Sequence, residues 1–213
     1  MKIGDIELKW LGSSGFLIEA QGKKIYIDPY EVKDGKADVI LITHPHYDHF
    51  SIEDLRKLIK EDTVLVAPAY CQAKLIRLEI KMEAIGIGEK QKIKGFEIIG
   101  IPAYNINKEF HPKEEEWIGY LIKIEDVSIY HAGDTDNIPE MQQLNGKVNV
   151  ALLPVGGTYT MNAKEAAEAA SIIEPDLCIP MHYGEIAGTL KDAEEFVDLC
   201  REKGLRAEIL NKE

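Results

Sequence analysis

Cysteine is scarce in this chain of 213 residues, and its placement excludes two kinds of protein. Cys71, Cys178 and Cys200 lie far apart and form no CxxC pair. That argues against a disulfide framework and against a thiolate zinc knuckle, and each thiol reads as a small buried apolar residue. Long hydrophobic runs are missing too. None reaches the ~18 residues of a membrane span, and the opening "MKIGDIELKW" has no extended apolar core of the signal-peptide kind. The expectation is a soluble, cytoplasmic protein. Positive charge is short: 25 Lys and Arg against 37 Asp and Glu leave a net charge of −12. That disfavours DNA, RNA and anionic membranes as partners. A small-molecule substrate remains, and an anionic one would need positive charge supplied within the site. There is no internal repeat, low-complexity tract or Pro/Ser linker. With 45% hydrophobic residues, residues 1–213 are expected to form one domain. Whether it forms a homo-oligomer is left open.

What is present is a set of short strands, followed by strands alternating with helices, the pattern of an α/β (α+β) protein. "IELKWL", "GFLIEA" and "KKIYID" read as strands separated by Gly-containing turns. "ADVILIT" is apolar throughout, hence a buried strand. Ser51, with Asp54 three residues later, opens a helix over "IEDLRKLIK". "TVLVA" returns as a strand, "YCQAKLIRL" is expected to be helical, and "FEIIGIPA" is a strand. "WIGYLIKIEDVSIYHAG" reads as two strands joined at Glu125-Asp126, and "VNVALLPVGG" as one more. Asn162 caps a helix over "AKEAAEAASII", with Glu165 completing a capping box. "DLCIPMHY" is a strand, "LKDAEEFVDLCREKG" a helix ending at Gly204, and "RAEIL" a last strand.

Polar residues recur where apolar strands end. His44 follows "DVILIT", Asn105 follows "FEIIGIPA", Asp134 follows "VSIYHAG", Gly156 follows "VNVALLP", and His182 closes "DLCIPM". Loops converge at such carboxyl ends, so these clusters are expected to form one site. In "THPHYDHF" three histidines and an aspartate are crowded together, a costly arrangement to bury without partners. Imidazole nitrogens and carboxylate oxygens without thiolate suit Zn, Mn or Fe. His44 and His46 can reach one ion from alternate positions, while Asp48 and His49 point toward a second. Mixed ligands of this kind leave positions open for water, as in a catalytic site. Asp134 is either a turn aspartate or a carboxylate bridging two ions, and the end of its strand favours the bridge. His182 is either a core histidine or a ligand, with the ligand favoured. His131 remains open between supporting a ligand and pointing into the protein. Asp28 in "YIDPY" remains open between a turn and a partner of a metal-bound histidine. Lys108 and Lys113 flank His111 and could meet an anionic group, although solvated lysines are the more common case.

"THPHYDH", "HAGDTD", "LLPVGG" and "IPMHYG", in that order, resemble the metallo-β-lactamase superfamily. The similarity is to its branch of small metal-dependent hydrolases, which includes ascorbate-6-phosphate lactonase and the phospholipase D acting on N-acylethanolamine phospholipids. It runs from "WLGSSGFLIE" to "IPMHYG". The resemblance implies a four-layer αββα sandwich holding two divalent ions, zinc first, with Mn, Fe or Ni as alternatives. By that resemblance His44 and His46 hold metal 1, Asp48, His49 and His182 hold metal 2, and Asp134 bridges them. The histidine that usually completes metal 1 is replaced here by Asn105, so His111, six residues on, is the expected third ligand, with Asn105 as the alternative. Ser13 stands where relatives often carry a histidine. Two ions ~3.5–4 Å apart would lower the pKa of a bridging water toward ~7. The implied enzyme is a metal-dependent hydrolase whose bridging hydroxide cleaves an ester, lactone or phosphodiester bond. Asp48 and Asp134 are its catalytic carboxylates, Asp48 orienting the nucleophile and taking its proton. Alternatives are a metal-binding protein of the same fold without activity, or a di-iron redox protein.

Overall fold

The computed structural model describes residues 1–75 and 80–213. Among them, one sheet runs in the spatial order β1 (Lys2–Ile3), β2 (Ile6–Gly12), β3 (Gly15–Ala20), β4 (Lys23–Ile27), β5 (Val39–Leu41), β6 (Val64–Ala67), β7 (Lys81–Ala84). The other is built from β8 (Lys90–Ile93), β9 (Phe96–Pro102), β10 (Ile118–Ile124), β11 (Val127–His131), β12 (Val150–Pro154) and β13 (Leu177–Met181), with β8 and β13 at its edges. In both sheets antiparallel hairpins give way to parallel strands: β4 to β7 in the first, β11 to β13 in the second. Parallel neighbours need a crossover. These crossovers include α1 (Ile52–Leu58), α2 (Gln72–Leu75) and α3 (Ala163–Ile173), and α4 (Leu190–Glu202) follows β13.

The strand residues alternate between two cores. Phe16, Ile18, Val39 and Leu41 face the second sheet's Phe96, Ile98, Tyr120 and Ile122 in one large apolar cluster. Leu17, Ile40 and Leu65 point the other way, onto Leu55 and Leu58 of α1. The second sheet's outer face is covered by the alanine-rich side of α3 with Phe196 and Cys200 of α4. Strands such as β5 therefore bury both faces, which is why they read as unbroken apolar runs. The result is the expected αββα sandwich. No helix of the described residues is long and apolar enough to cross a membrane.

The helix starts follow their signals. Asn162 accepts from the Lys164 and Glu165 amides at 3.0 Å each, and Glu165 returns a bond to the Asn162 amide. Other expectations need correction. The first helix stops at Leu58 rather than Lys60, because Ile59 turns extended. In the expected 70–78 helix only a short turn and α2 form, and residues 76–78 lie outside the described residues. "RAEIL" makes no strand; a single bridge from Ala207 to Cys178 docks it. Strands β1, β7 and β8 were not expected. They are short and pair at the margins of their sheets, and neither β7 nor β8 has a fully buried face.

Candidate metal centre

The carboxyl ends of β5, β9, β11 and β13 converge on one side of the sandwich. The loop after β5 brings His44, His46, Asp48 and His49; the second sheet brings His111, Asp134 and His182. Three triads of these side chains each place their ligand atoms within 4.8 Å of one another: His44, His46 and His111; His44, His49 and Asp134; Asp48, His49 and His182.

Hydrogen-bond partners settle which ring nitrogen is free. Asp28 closes β4, fully buried with a left-handed backbone (φ 43°). Its Oδ1 accepts the Thr43 amide at 2.8 Å, and its Oδ2 accepts the Thr43 hydroxyl at 2.6 Å and lies 2.7 Å from His49 Nδ1. His49 therefore donates through Nδ1 and presents a bare Nε2. Thr43 has spent its one proton on Asp28, so at 2.9 Å its oxygen accepts from His44 Nδ1. His44 Nε2 is then bare as well. One carboxylate thus orients two histidines, one directly and one through a hydroxyl, as metal-binding histidines are commonly held.

The other ligand atoms crowd the same space. His46 Nδ1 lies 3.1 Å from His44 Nε2 and 3.2 Å from His111 Nε2. Asp134 Oδ2 lies 3.2 Å from His111 Nε2 and 3.3 Å from His182 Nε2, and its Oδ1 lies 3.3 Å from His49 Nε2. His49 Nε2 also lies 3.3 Å from Asp48 Oδ2. A tetrahedral ion with bonds of ~2.0–2.1 Å spaces its ligand atoms ~3.3 Å apart. Moreover, His49 Nε2 and Asp134 Oδ1 are buried atoms with no hydrogen-bond partner. A buried nitrogen lone pair facing a buried carboxylate oxygen is costly unless a proton or a metal ion lies between them. The residues fit divalent ions.

The charges agree. Burial pushes the Asp134 carboxyl up, but His182 and His49 outweigh it and hold it well below the carboxylate range. Burial also opposes ionisation of Asp48, again overcome by the neighbouring His182 and His49. Burial would lower His49 and His182, yet Asp134 above all raises both, His182 to about 9. His44, buried, and His46, half-buried, are pushed down by desolvation and by the other histidines beside them, toward the neutral form. The carboxylates demand positive charge that the imidazoles supply only by taking protons.

Backbone details place the late ligands. His182 has φ 56°, and its amide donates to Ser13 O at 2.9 Å, the oxygen that also accepts Trp10 Nε1. Ser13 thus contributes through its backbone. Gly156 explains part of "PVGG": a Cβ there would come 2.5 Å from His182 O. Asn105 does not replace His111 at the cluster's centre; it anchors the loop that delivers it. Its Nδ2 spends its protons on Phe110 O (2.8 Å) and Tyr159 O (2.7 Å), and its amide donates to His111 O. His111 (φ 58°) is thereby turned back among the other histidines.

Three candidate residues fall outside the cluster. His131 accepts the Gly133 amide on Nδ1 and donates from Nε2 to Ser14 O at 2.8 Å, so it ties β11 to the β2–β3 turn. Lys108 is paired with Asp136, and Lys113 with Glu140 at 3.0 Å. Among the described residues, neither lysine lines the cleft of about 240 Å³ above His46, Asp48, His111, Asp134 and His182. Sequence reasoning missed Thr43, whose signal was a hydroxyl placed directly before His44. It also missed Trp117, stacked on His44 at 5.0 Å, and the cleft's apolar walls, Tyr47, Phe110, Tyr159 and Ile186.

Residues 7–182 match the beta-lactamase superfamily domain. The chain is 36% identical over 213 residues to a UPF0173 metal-dependent hydrolase of Pyrococcus furiosus, covering 93% of each protein. It is 35% identical to one of Caldivirga maquilingensis, covering 90% of this chain and 88% of that one. Among solved structures, the metallo hydrolase Igni18 of Ignicoccus hospitalis superposes with a TM-score of 0.81 at 26% identity, covering 97% and 95% of the two chains. The chain belongs to the metallo-β-lactamase superfamily, as a metal-dependent hydrolase.

Proposed function

We propose that the chain holds two divalent ions, zinc first among them, and uses them to add water across an ester, lactone or phosphodiester bond of a small substrate. The observation that carries this is the pair of unpartnered buried atoms, His49 Nε2 and Asp134 Oδ1, set 3.3 Å apart in a cluster of ligand atoms at tetrahedral spacing. In this reading His44, His46 and His111 hold one ion and Asp48, His49 and His182 the other, with Asp134 reaching both sets. When bound, the ions supply acidified water and polarisation of the scissile oxygen. The chain's own part is to position and to move protons. Asp28 and Thr43 keep His44 and His49 in the metal-binding tautomer. Asp48, at the cleft floor, orients the water and takes its proton, which then passes to the leaving oxygen. Ester and water thus give acid and alcohol, and a lactone gives the hydroxy acid.

The test is elemental analysis and zinc titration of the purified protein, with a panel of lactones, aryl esters and bis-p-nitrophenyl phosphate. Two ions per chain and metal-dependent turnover of one class are expected. Protein that takes up no metal from excess zinc or manganese, or that turns over none of the panel when loaded, would contradict the proposal.

A further inference from the structure

The floor of the cleft is polar and the walls are not. Phe110 and Tyr159 pack edge to face, ring centroids 4.8 Å apart at 87°, and Phe110 is still 45% exposed. Tyr47, lining the same cleft, is 64% exposed and leans edge-on against Tyr30 at 6.0 Å. Large apolar side chains left this open beside a reactive centre mark a ligand contact more often than chance exposure. The charge of the lining agrees. Among the described residues it includes no lysine or arginine, and its two acids, Asp48 and Asp134, belong to the proposed ligand set. Three lysines of the described residues are engaged elsewhere: Lys108 with Asp136 and Glu165, Lys113 with Glu140, and Lys74 with Pro45 O. Positive charge for an anionic arm would come only from the ions at the floor; along the aromatic wall a phosphate or carboxylate would meet ring edges and no cationic fork among the described residues.

Asn105 makes this wall a constructed feature. Phe110 and Tyr159 come from separate loops, after β9 and after β12. The two protons of one buried amide hold the backbone carbonyls of both residues, at 2.8 and 2.7 Å. The same side chain that turns His111 inward therefore fixes the spacing of the aromatic pair. Resting on the hydrolytic role proposed above, we propose that the Phe110–Tyr159 wall, together with Tyr47, receives an uncharged apolar arm of the substrate. The enzyme then takes neutral acyl or aryl esters or lactones in preference to phosphorylated or carboxylated ones. Asn105 is the positioning residue of that specificity.

The experiment holds the bond and leaving group constant and varies the arm. Zinc-loaded protein is assayed with 4-nitrophenyl acetate, 4-nitrophenyl hexanoate and the 4-nitrophenyl half-ester of adipic acid, which ends in a carboxylate. The hexanoate should have the highest kcat/KM and the half-ester should fall below it by ~10-fold or more. Phe110→Ala should raise KM for the hexanoate by about 10-fold while kcat changes little, the mark of lost uniform binding, and should raise it much less for the acetate, whose short arm reaches less of the wall. Asn105→Asp, almost the same shape but with no proton to donate, should shift KM in the same direction, and Phe110→Tyr should restore it. A binding readout separates this inference from the hydrolytic one. Saturation-transfer NMR with the unreactive amide N-phenylhexanamide should show its alkyl chain in contact with wild-type protein, with or without zinc, and not with Phe110→Ala. Binding of the amide without turnover of any ester would uphold the wall and sink the choice of bond. Turnover with no preference for the hexanoate, preference for the half-ester, or no effect of Phe110→Ala on either readout would overturn the wall and leave hydrolysis standing.

Discussion

Replacing Asp28 by asparagine should uncouple two histidines from their work without touching either. The carboxylate has three neighbours: the Thr43 amide on Oδ1, and the Thr43 hydroxyl and His49 Nδ1 on Oδ2. An amide of the same shape cannot satisfy all of them. With its nitrogen in the Oδ2 place it donates to His49, which must then carry its proton on Nε2 and present N–H to the site. With its nitrogen in the Oδ1 place it faces the Thr43 amide, donor against donor at about 2.8 Å. The first arrangement should weaken metal binding by the ~10–100-fold typical when a histidine's supporting partner is lost, or ~1.4–2.7 kcal/mol. The second leaves a buried donor unpaired, at a cost of ~1–3 kcal/mol. In a domain of this size each kcal/mol lowers Tm by roughly 2–4 °C. Zinc competition against a chromophoric chelator reads the first cost, and a thermal melt of the metal-free protein reads the second. A variant matching wild type in both would refute the assigned tautomers and the relay through Thr43.

Three other outcomes follow from the same geometry. Chelation should abolish activity but leave the circular dichroism native, with lower thermal stability, because the apolar cores form without the ions; unfolding on chelation would contradict this. His111→Ala should weaken one of the two proposed zinc sites by at least ~10–100-fold, whereas Asn105→Ala should do less; a two-site titration in His111→Ala indistinguishable from wild type would remove His111 from the proposed ligand set. The buried Asp54 carboxylate accepts the Glu31 and Val32 amides and pairs with Lys57 at 2.8 Å. Burial would raise its pKa, but Lys57 and the other hydrogen bonds lower it. Its stabilisation is thus present above the ordinary carboxylate pKa of about 4 and is lost as pH falls through the lowered value. Asp54→Asn should cost ~1–2 kcal/mol at neutral pH, and the gap in urea midpoint should close in acid. A gap independent of pH would disprove the ionic part.

The sandwich was legible because its central strands state their burial directly: β5 and β12 are apolar on both faces, and Asn162 with Glu165 marks a helix start that no other pattern imitates. Edge strands carry no such signal. β8, "KQKI", is mostly exposed, and its pairing with β9 arises from the hairpin rather than from its composition. "RAEIL" shows the converse, since an alternating pattern became a docked tail joined to β13 by one bridge. At the site, the spacing of His44, His46, Asp48 and His49 showed which residues gather, but not their tautomers. Those depend on Thr43 and Asp28, which meet only once β4 and β5 pair. The lysines stayed ambiguous for a similar reason: Lys108 and Lys113 flank His111 in sequence, and their pairing with Asp136 and Glu140, far along the chain, shows only in the fold.

The ligand triads straddle the seam of the sandwich. Two side chains of each proposed site come from the loop after β5, and the third arrives from the opposite sheet, His111 for one and His182 for the other, with Asp134 beside them. Tyr120 marks the same seam, reaching from β10 to donate to Ile42 O at 2.6 Å. A nascent chain with only the first sheet built would own pairs of ligands and no complete set. Loading with metal would therefore come late, after the long-range docking of the halves, and would make separation of the sheets the slow step of unfolding. The cation becomes a bolt across the joint, and holding it certifies that both halves have found each other.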